Sequence, residues 1–176
     1  MIPRAAIPTI ATDRLRLRAW MDEDIYPMAE INKDVRVGKW LGGVIGRDQT
    51  EARIKAWVGH WQDRGFGIWA VEERASRQLV GRVGLMHHED WTASPHDAEI
   101  GWAFSPEVWN RGYATEAAGA ALEWARDRED LRTIISITSP NNVRSRRVME
   151  KLGMTYRGKA TWRGFDQVWY GIEPQP

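Results

Sequence analysis

Phe104-Ser105-Pro106-Glu107-Val108-Trp109-Asn110-Arg111-Gly112-Tyr113-Ala114-Thr115-Glu116-Ala117 is the stretch on which the reading of this chain turns. An alternating run over 98–104 stops at Ser105-Pro106, a short loop passes through Gly112, and an alanine-rich helical stretch begins at Ala114. A strand, a glycine turn and a helix in that order leave the first helical N–H groups without intrahelical acceptors. Those groups converge with the positive end of the helix dipole, which makes a site for a diphosphate. Gly112 lets the backbone approach a ligand closely, and Ala114 keeps the next turn unobstructed. Taken alone, the turn is equally compatible with a glycine needed only for steric reasons. Other phosphate patterns are absent: no G-x-x-x-x-G-K-[ST] occurs, and no G-x-G-x-x-G follows a strand.

The rest of the chain supplies matching elements. Over 12–20, Leu15 and Leu17 share one face and arginines the other, as in a half-buried strand. Asp22, Glu23 and Asp24 head a helix to about Asn32, with negative charge at its positive end. A glycine-rich loop over 38–46 carries Trp40 and Leu41, and Ile54, Trp57, Val58 and Trp61 then repeat at helical spacing. Strands are expected over 66–72 and 79–88, around a polar turn at Arg74-Ala75-Ser76. After the helix at 114–128 come a β-branched strand at 133–138 and a helix at 142–152, which Gly153 ends as a left-handed cap. Strands over 155–160 and 165–172 close the chain around Arg163-Gly164. The order βααβββαβαββ implies a single α/β (α+β) domain spanning 1–176 with its core over 12–172, built of about seven strands and about four helices.

Composition narrows the function classes. The 176 residues are 43% hydrophobic and 28% charged, which suits one soluble globular domain. No apolar run is long enough to span a bilayer, and the first residues lack the apolar segment of a secretory signal. With no cysteine there is no disulfide, thiolate ligand or cysteine nucleophile, so a cytoplasmic location without membrane attachment is expected. A net charge of +1 argues against a nucleic-acid partner, although the cluster of Arg144, Arg146 and Arg147 leaves local anion binding open. Eleven tryptophans read mainly as core filler, and a homodimer interface fits the same load. His87-His88-Glu89-Asp90 and His96-Asp97 do not form a compact ligand set, because adjacent histidines on a strand face opposite ways; no metal is expected.

Trp109-Asn110-Arg111-Gly112-Tyr113-Ala114 resembles the Q/R-x-x-G-x-G/A coenzyme A signature of the Gcn5-related N-acetyltransferases, with Trp109 in the first position. Continued through Thr115-Glu116-Ala117, it is similar to the W-G-x-G-Y-A-T-E-A turn of the ribosomal-protein N-terminal (RimJ/RimL-like) branch. Downstream, Asn142, Ser145 and Glu150-Lys151-Leu152-Gly153-Met154 resemble that branch's N-x-x-S-x-x-x-x-E-K-L-G-F. The resemblance runs from about Thr12 to Ile172. It implies acetyl-CoA as co-substrate, bound between splayed central strands, with no metal. The amides of Arg111, Gly112, Tyr113, Ala114 and Thr115 would hold the pyrophosphate beside Trp109. The backbone at Trp102 and Phe104 would pair with the pantetheine arm like an added strand. Asn142 and Arg147 join this cofactor set; their plainer readings are a helix N-cap and a solvated arginine.

Acetyl transfer to nitrogen needs a neutral amine. An α-amine, with a reference pKa near 8, needs less help than a lysine near 10.4. The acceptor expected from the branch resemblance is therefore a protein N-terminal α-amine; an aminoglycoside, polyamine or amino acid is the rival. Glu99, on the strand leading to the turn, is the candidate base, directly or through water, against a plainer reading as a surface ion-pair partner. Many relatives place an acidic tyrosine where this chain has Met149, so Ser145 stands as substitute acid, and a coenzyme A binder without catalysis remains a rival class. Glu89, Asp90, Asp97 and Glu99 are expected to form an acidic mouth for a cationic acceptor, lined by Trp40, Leu41 and Trp91. A nicotinamide-binding domain is disfavoured by the missing glycine fingerprint.

Overall fold

The computed structural model describes residues 1–2 and 6–172. Its strands are β1 (Ile10–Ala11), β2 (Leu15–Arg18), β3 (Ile68–Glu73), β4 (Leu79–Met86), β5 (Ala98–Phe104), β6 (Ile134–Thr138), β7 (Thr155–Trp162) and β8 (Phe165–Ile172). They form one eight-stranded sheet in the order β1-β2-β3-β4-β5-β6-β8-β7. The α-helices are α1 (Ile25–Lys33), α2 (Val35–Gly38), α3 (Arg47–Arg64), α4 (Tyr113–Arg126) and α5 (Val143–Lys151). Eight strands and five helices exceed the expected counts through two short pieces. The two-residue β1 pairs Ile10 with Leu17. The single turn α2 forms because the Asp34 side chain accepts from the Arg36 N–H.

Strand alternation gives the sheet two buried faces. On one, Val83, Leu85 and Ile100 meet Ala117, Ala118 and Ala121 of α4, whose small side chains let the helix lie close. On the other, Ile68 and Ala70 lie beneath Met28 of α1 and Ile54 and Trp57 of α3. Part of the tryptophan load is core: Trp61, Trp69 and Trp124 pack edge-to-face, with centroids 4.7, 5.1 and 5.5 Å apart. Asp24 departs from the dipole role read from sequence. It is buried and receives both terminal nitrogens of Arg18 at 2.7 and 2.9 Å, while Arg18 Nε donates to Glu72 at 2.7 Å. Gly153, at φ 80°, ends α5 as expected, and Arg163-Gly164 (φ 51° and 82°) turns β7 into β8 as a tight two-residue hairpin.

β4 ends at Met86, so His87 and His88 lie in a loop rather than on the expected strand. There the four histidines of the chain meet. His60 Nδ1 is 2.6 Å from the Phe66 carbonyl and must donate to it, which leaves Nε2 to accept the His87 N–H at 3.1 Å. Burial lowers the His60 pKa; the Phe66 carbonyl opposes this, and Arg64 and neighbouring histidines add to the lowering. His96 is lowered too, first by burial. For a base whose folded pKa lies below its unfolded value near 6.5, the unfolded state binds the proton first. Stability is then present above about pH 6.5 and lost as pH falls through the window beneath it. The thermal midpoint should fall between about pH 7.5 and about pH 5.5, and less so in His60→Gln; an equal fall in the variant would place the titration elsewhere.

The feature that positions the site is the junction of β5 with β6, the sheet's parallel pair. They register only at Ala98↔Ile134 and Glu99↔Ile135. The Ser136 hydroxyl still reaches the Ile100 carbonyl at 2.8 Å. Beyond that point no residue of one strand pairs with the other, and a cavity opens between them.

Candidate active site

The loop after β5 is built to keep the amides ahead of α4 free. The Ser105 side chain accepts the Glu107 N–H and caps a 3-10 turn over Pro106–Val108. The Trp109 indole then donates to the Phe104 carbonyl at 2.9 Å. Asn110 (φ 63°) and Gly112 (φ 82°) take left-handed conformations that reverse the chain into α4. Arg14 braces the turn from outside, donating to the Arg111 carbonyl at 2.8 Å and pairing with Glu116 at 2.6 Å. The first helical bond runs from the Glu116 N–H to the Gly112 carbonyl at 3.0 Å. Among the described residues, none of the N–H groups from Arg111 to Thr115 donates to a protein acceptor. Such a run at a helix start is an anion site. Tyr113 belongs to the expected set through its amide alone. Its hydroxyl donates to Glu73 at 2.5 Å, which raises the phenol above its ordinary pKa, so only the Tyr113 backbone is left for a ligand.

The free edge of β5 has a definite phase. The Ser105 N–H bonds to the Val80 carbonyl at 2.9 Å, so the groups of Ala103 and Gly101 face β4, and those of Trp102 and Phe104 face the splay. The Phe104 carbonyl is already taken by Trp109, which leaves the Phe104 N–H and both backbone groups of Trp102 open. Across the gap, Asn142 realises its plainer reading. Its Oδ1 caps α5 through the Ser145 N–H at 3.3 Å, and its Nδ2 donates to Thr138 at 3.1 Å. It therefore ties α5 to the end of β6 while still lining the cavity. Ser145 and Arg147 line the cavity, joined by Arg144, which lies 4.7 Å over the Trp109 ring, and Lys151. Arg146 is turned away to Tyr170 and the Pro140 carbonyl. The whole cavity holds about 840 Å³.

Its other half lies on the sheet face that carries Arg82, Met86 and Glu99. A Cβ at Gly101 would sit 3.2 Å from a Glu99 carboxylate oxygen, so the glycine leaves the carboxylate its room. Glu99 is 13% exposed, and His88 Nε2 stands 3.5 Å from it. The expected acidic mouth does not form. Glu89 pairs with Arg64 at 3.2 Å, and Asp97 accepts the Thr133 N–H at 2.6 Å. Asp90 pairs with Arg163 at 2.7 Å, and this hydrogen-bonded guanidinium holds the Asp90 carboxyl below its usual range. Trp40 and Leu41 line the cavity as expected, but Trp91 is buried beside Trp162 and Trp169. Trp162 lines it instead, because β7 runs two residues beyond its expected end at Ala160.

Residues 14–155 match the acetyltransferase (GNAT) domain family. The chain belongs to the GNAT acetyltransferases. It is 33% identical to the uncharacterized N-acetyltransferase YnaD of Bacillus subtilis, over 93% of this chain and 95% of that protein. A GNAT-family acetyltransferase of Bacillus anthracis, 28% identical, superposes with a TM-score of 0.80 over 96% of this chain and 100% of that one. RimL, a ribosomal L7/L12 α-N-protein acetyltransferase solved with coenzyme A, shares the fold at 17% identity, with a TM-score of 0.76 over 94% and 98% of the two chains.

This GNAT protein is thus an acetyl-CoA-dependent acetyltransferase, and its free amides, open β5 edge and cationic rim on α5 fit that co-substrate. Among the described residues no group of three or more histidine, aspartate or glutamate side chains could hold a metal, and no helix is long and apolar enough to cross a membrane. Met149, where a tyrosine was sought, is buried at 1% exposure. The Ser145 hydroxyl makes no hydrogen bond among the described residues, and Ser145 lines the cavity. A thiolate leaves readily; Ser145→Ala should therefore lower turnover by less than about tenfold, the scale of one hydrogen bond. Steady-state kinetics would check this, and a loss beyond about a hundredfold would make Ser145 an essential acid.

Sequence reading missed His88, Arg53 and Arg82 as parts of the site. The signal for Arg82 was present: it is a charge in the middle of Leu79–Met86, an otherwise apolar strand. Arg53 stands one turn before Trp57 on α3, on the face that meets the cavity.

Proposed function

We propose that this GNAT protein transfers the acetyl group to the α-amine of an acceptor by direct attack in a ternary complex, with Glu99 receiving the amine's proton. Acetyl-CoA supplies a thioester carbonyl for the amine to attack and a thiolate that leaves. Everything else falls to the chain. The Arg111–Thr115 amides and the rim of Arg144, Arg147 and Lys151 hold the phosphates. The open backbone of Trp102 aligns the pantetheine arm as a strand would. Glu99, directly or through one water, takes the proton, and His88 at 3.5 Å is placed to share it. Ser145 faces the leaving side.

The observation that carries this reading is that the free-amide cradle and the Glu99 carboxylate line one cavity at the splay of β5 and β6. The motifs favour a protein N-terminus as the source of the α-amine; the acceptor half of the cavity favours something smaller. Thiol release from acetyl-CoA, with a panel of peptides and small amines, tests the reading. Amine-dependent release is expected. Acetyl-CoA raising the melting temperature with no amine consumed would leave a binding module instead.

A further inference from the structure

We propose that the acceptor is a small amino carboxylate, of the free amino acid type, whose carboxylate is received by Arg82 and Arg53. This rests on the acetyltransferase reading and names the acceptor class for that same site.

Both arginines line the acceptor half of the cavity, and neither makes a hydrogen bond or ion pair among the described residues. Arg82 is braced by Trp57, its guanidinium 4.9 Å from the ring centre. Burial pushes Arg82 down to about 10; Glu99 works against that shift, and the like charge of Arg53 adds to it. Arg53 is itself lowered by burial. Two partly desolvated guanidiniums lining one cavity without a hydrogen-bonded counter-ion are unfavourable, and an anion arriving beside them offsets the cost. A planar guanidinium fork matches a carboxylate bidentately.

Of the four carboxylates expected to form the mouth, Glu99 alone lines the cavity, and the other three are committed. Glu89 is held by Arg64, Asp90 by Arg163 and Asp97 by the Thr133 amide. A polycation would therefore meet two unpaired positive charges and one carboxylate. An amino carboxylate meets complementary charge at both of its ends.

The spacing agrees. Arg82 pairs with Ala103 and Met86 with Glu99 on the same sheet face, so Arg82 and Glu99 start about 13 Å apart along the strands at strand rise. The charge of Glu99 acts on the Arg82 guanidinium across that gap, which a short acceptor can bridge. Its amine would lie at Glu99 and its carboxylate at Arg82, beneath Trp40, Leu41 and Trp57.

The test compares free amino acids with their carboxamides, spermidine, an aminoglycoside and short peptides lacking acidic side chains. Thiol release is measured with the wild type and with Arg82→Met and Arg53→Gln. We expect at least one amino acid to exceed its carboxamide by about tenfold or more in kcat/KM, chiefly through KM, and that ratio to approach one in Arg82→Met. Calorimetric affinity for acetyl-CoA, checked on each variant, reports whether it has folded. A carboxamide, polycation or neutral peptide used as well as the amino acids would overturn the proposal while leaving the acetyltransferase reading intact. So would a carboxylate preference that survives in both variants.

If acetyl-CoA binds but no amine releases thiol, the acetyltransferase reading is what fails. The arginine site is then judged by thermal shift alone. Stabilisation of the wild type by an amino acid, lost in Arg82→Met, supports it; no stabilisation by any amino acid refutes it.

Discussion

Glu99→Gln should lower kcat by roughly 10²- to 10⁴-fold near neutral pH, the range of a positioned general base, while the Kd for acetyl-CoA stays within about twofold. Glutamine keeps the shape that Gly101 makes room for but cannot accept the proton. The defect should shrink as pH rises, because a growing share of the acceptor amine is then neutral without help. Steady-state rates from about pH 6 to about pH 9, with calorimetry for acetyl-CoA, give both readouts. Unchanged acetylation across that range would remove Glu99 from the chemistry and leave it a partner of His88.

Gly112→Val should weaken acetyl-CoA binding by about 10- to 100-fold, equivalent to roughly 1.4 to 2.8 kcal/mol. Gly112 holds φ 82° at the turn where the free amides converge, and a Cβ there would lie 3.4 Å from Arg14 Nη2. A side chain in that left-handed conformation costs about 1–2 kcal/mol, more for a β-branched residue, and relaxing the strain rotates the amides out of alignment. Gly153→Ala supplies the control. Gly153 is also left-handed, at φ 80°, yet its Cβ would meet nothing within 4 Å and it does not line the cavity. Both variants should melt earlier, but only Gly112→Val should lose affinity. An unaltered Kd in Gly112→Val would mean that the phosphates dock elsewhere.

The readable part of the site was the part made locally. The strand ending at Phe104, the turn at Gly112, the cap at Gly153 and the hairpin at Arg163-Gly164 each rest on neighbouring residues, and each stands where the pattern put it. Trp109 was legible as a departure from a motif but not as a device; its hydrogen bond to the Phe104 carbonyl exists only once the loop has folded back on β5. Asn142 and the Tyr113 amide were read as ligand groups by resemblance. The Asn142 side chain also caps α5 and bonds to Thr138, and the Tyr113 hydroxyl bonds to Glu73, partners that a motif does not mention.

What the amino-acid order determined unaided was the cradle and the succession of elements around it. Unsatisfied amides at a helix start follow from backbone geometry over a few consecutive residues. Only the tertiary structure decided the charge of the acceptor half. Asp90 is neutralised by Arg163, 73 residues away, and Glu89 by Arg64, 25 residues away, while among the described residues Arg82 and Arg53 form no ion pair. Composition counts all these charges equally. Which of them stay uncompensated depends on pairings across the sheet and its loops, and those decide that the acceptor half of this cavity presents positive charge beside Glu99 rather than an acidic mouth.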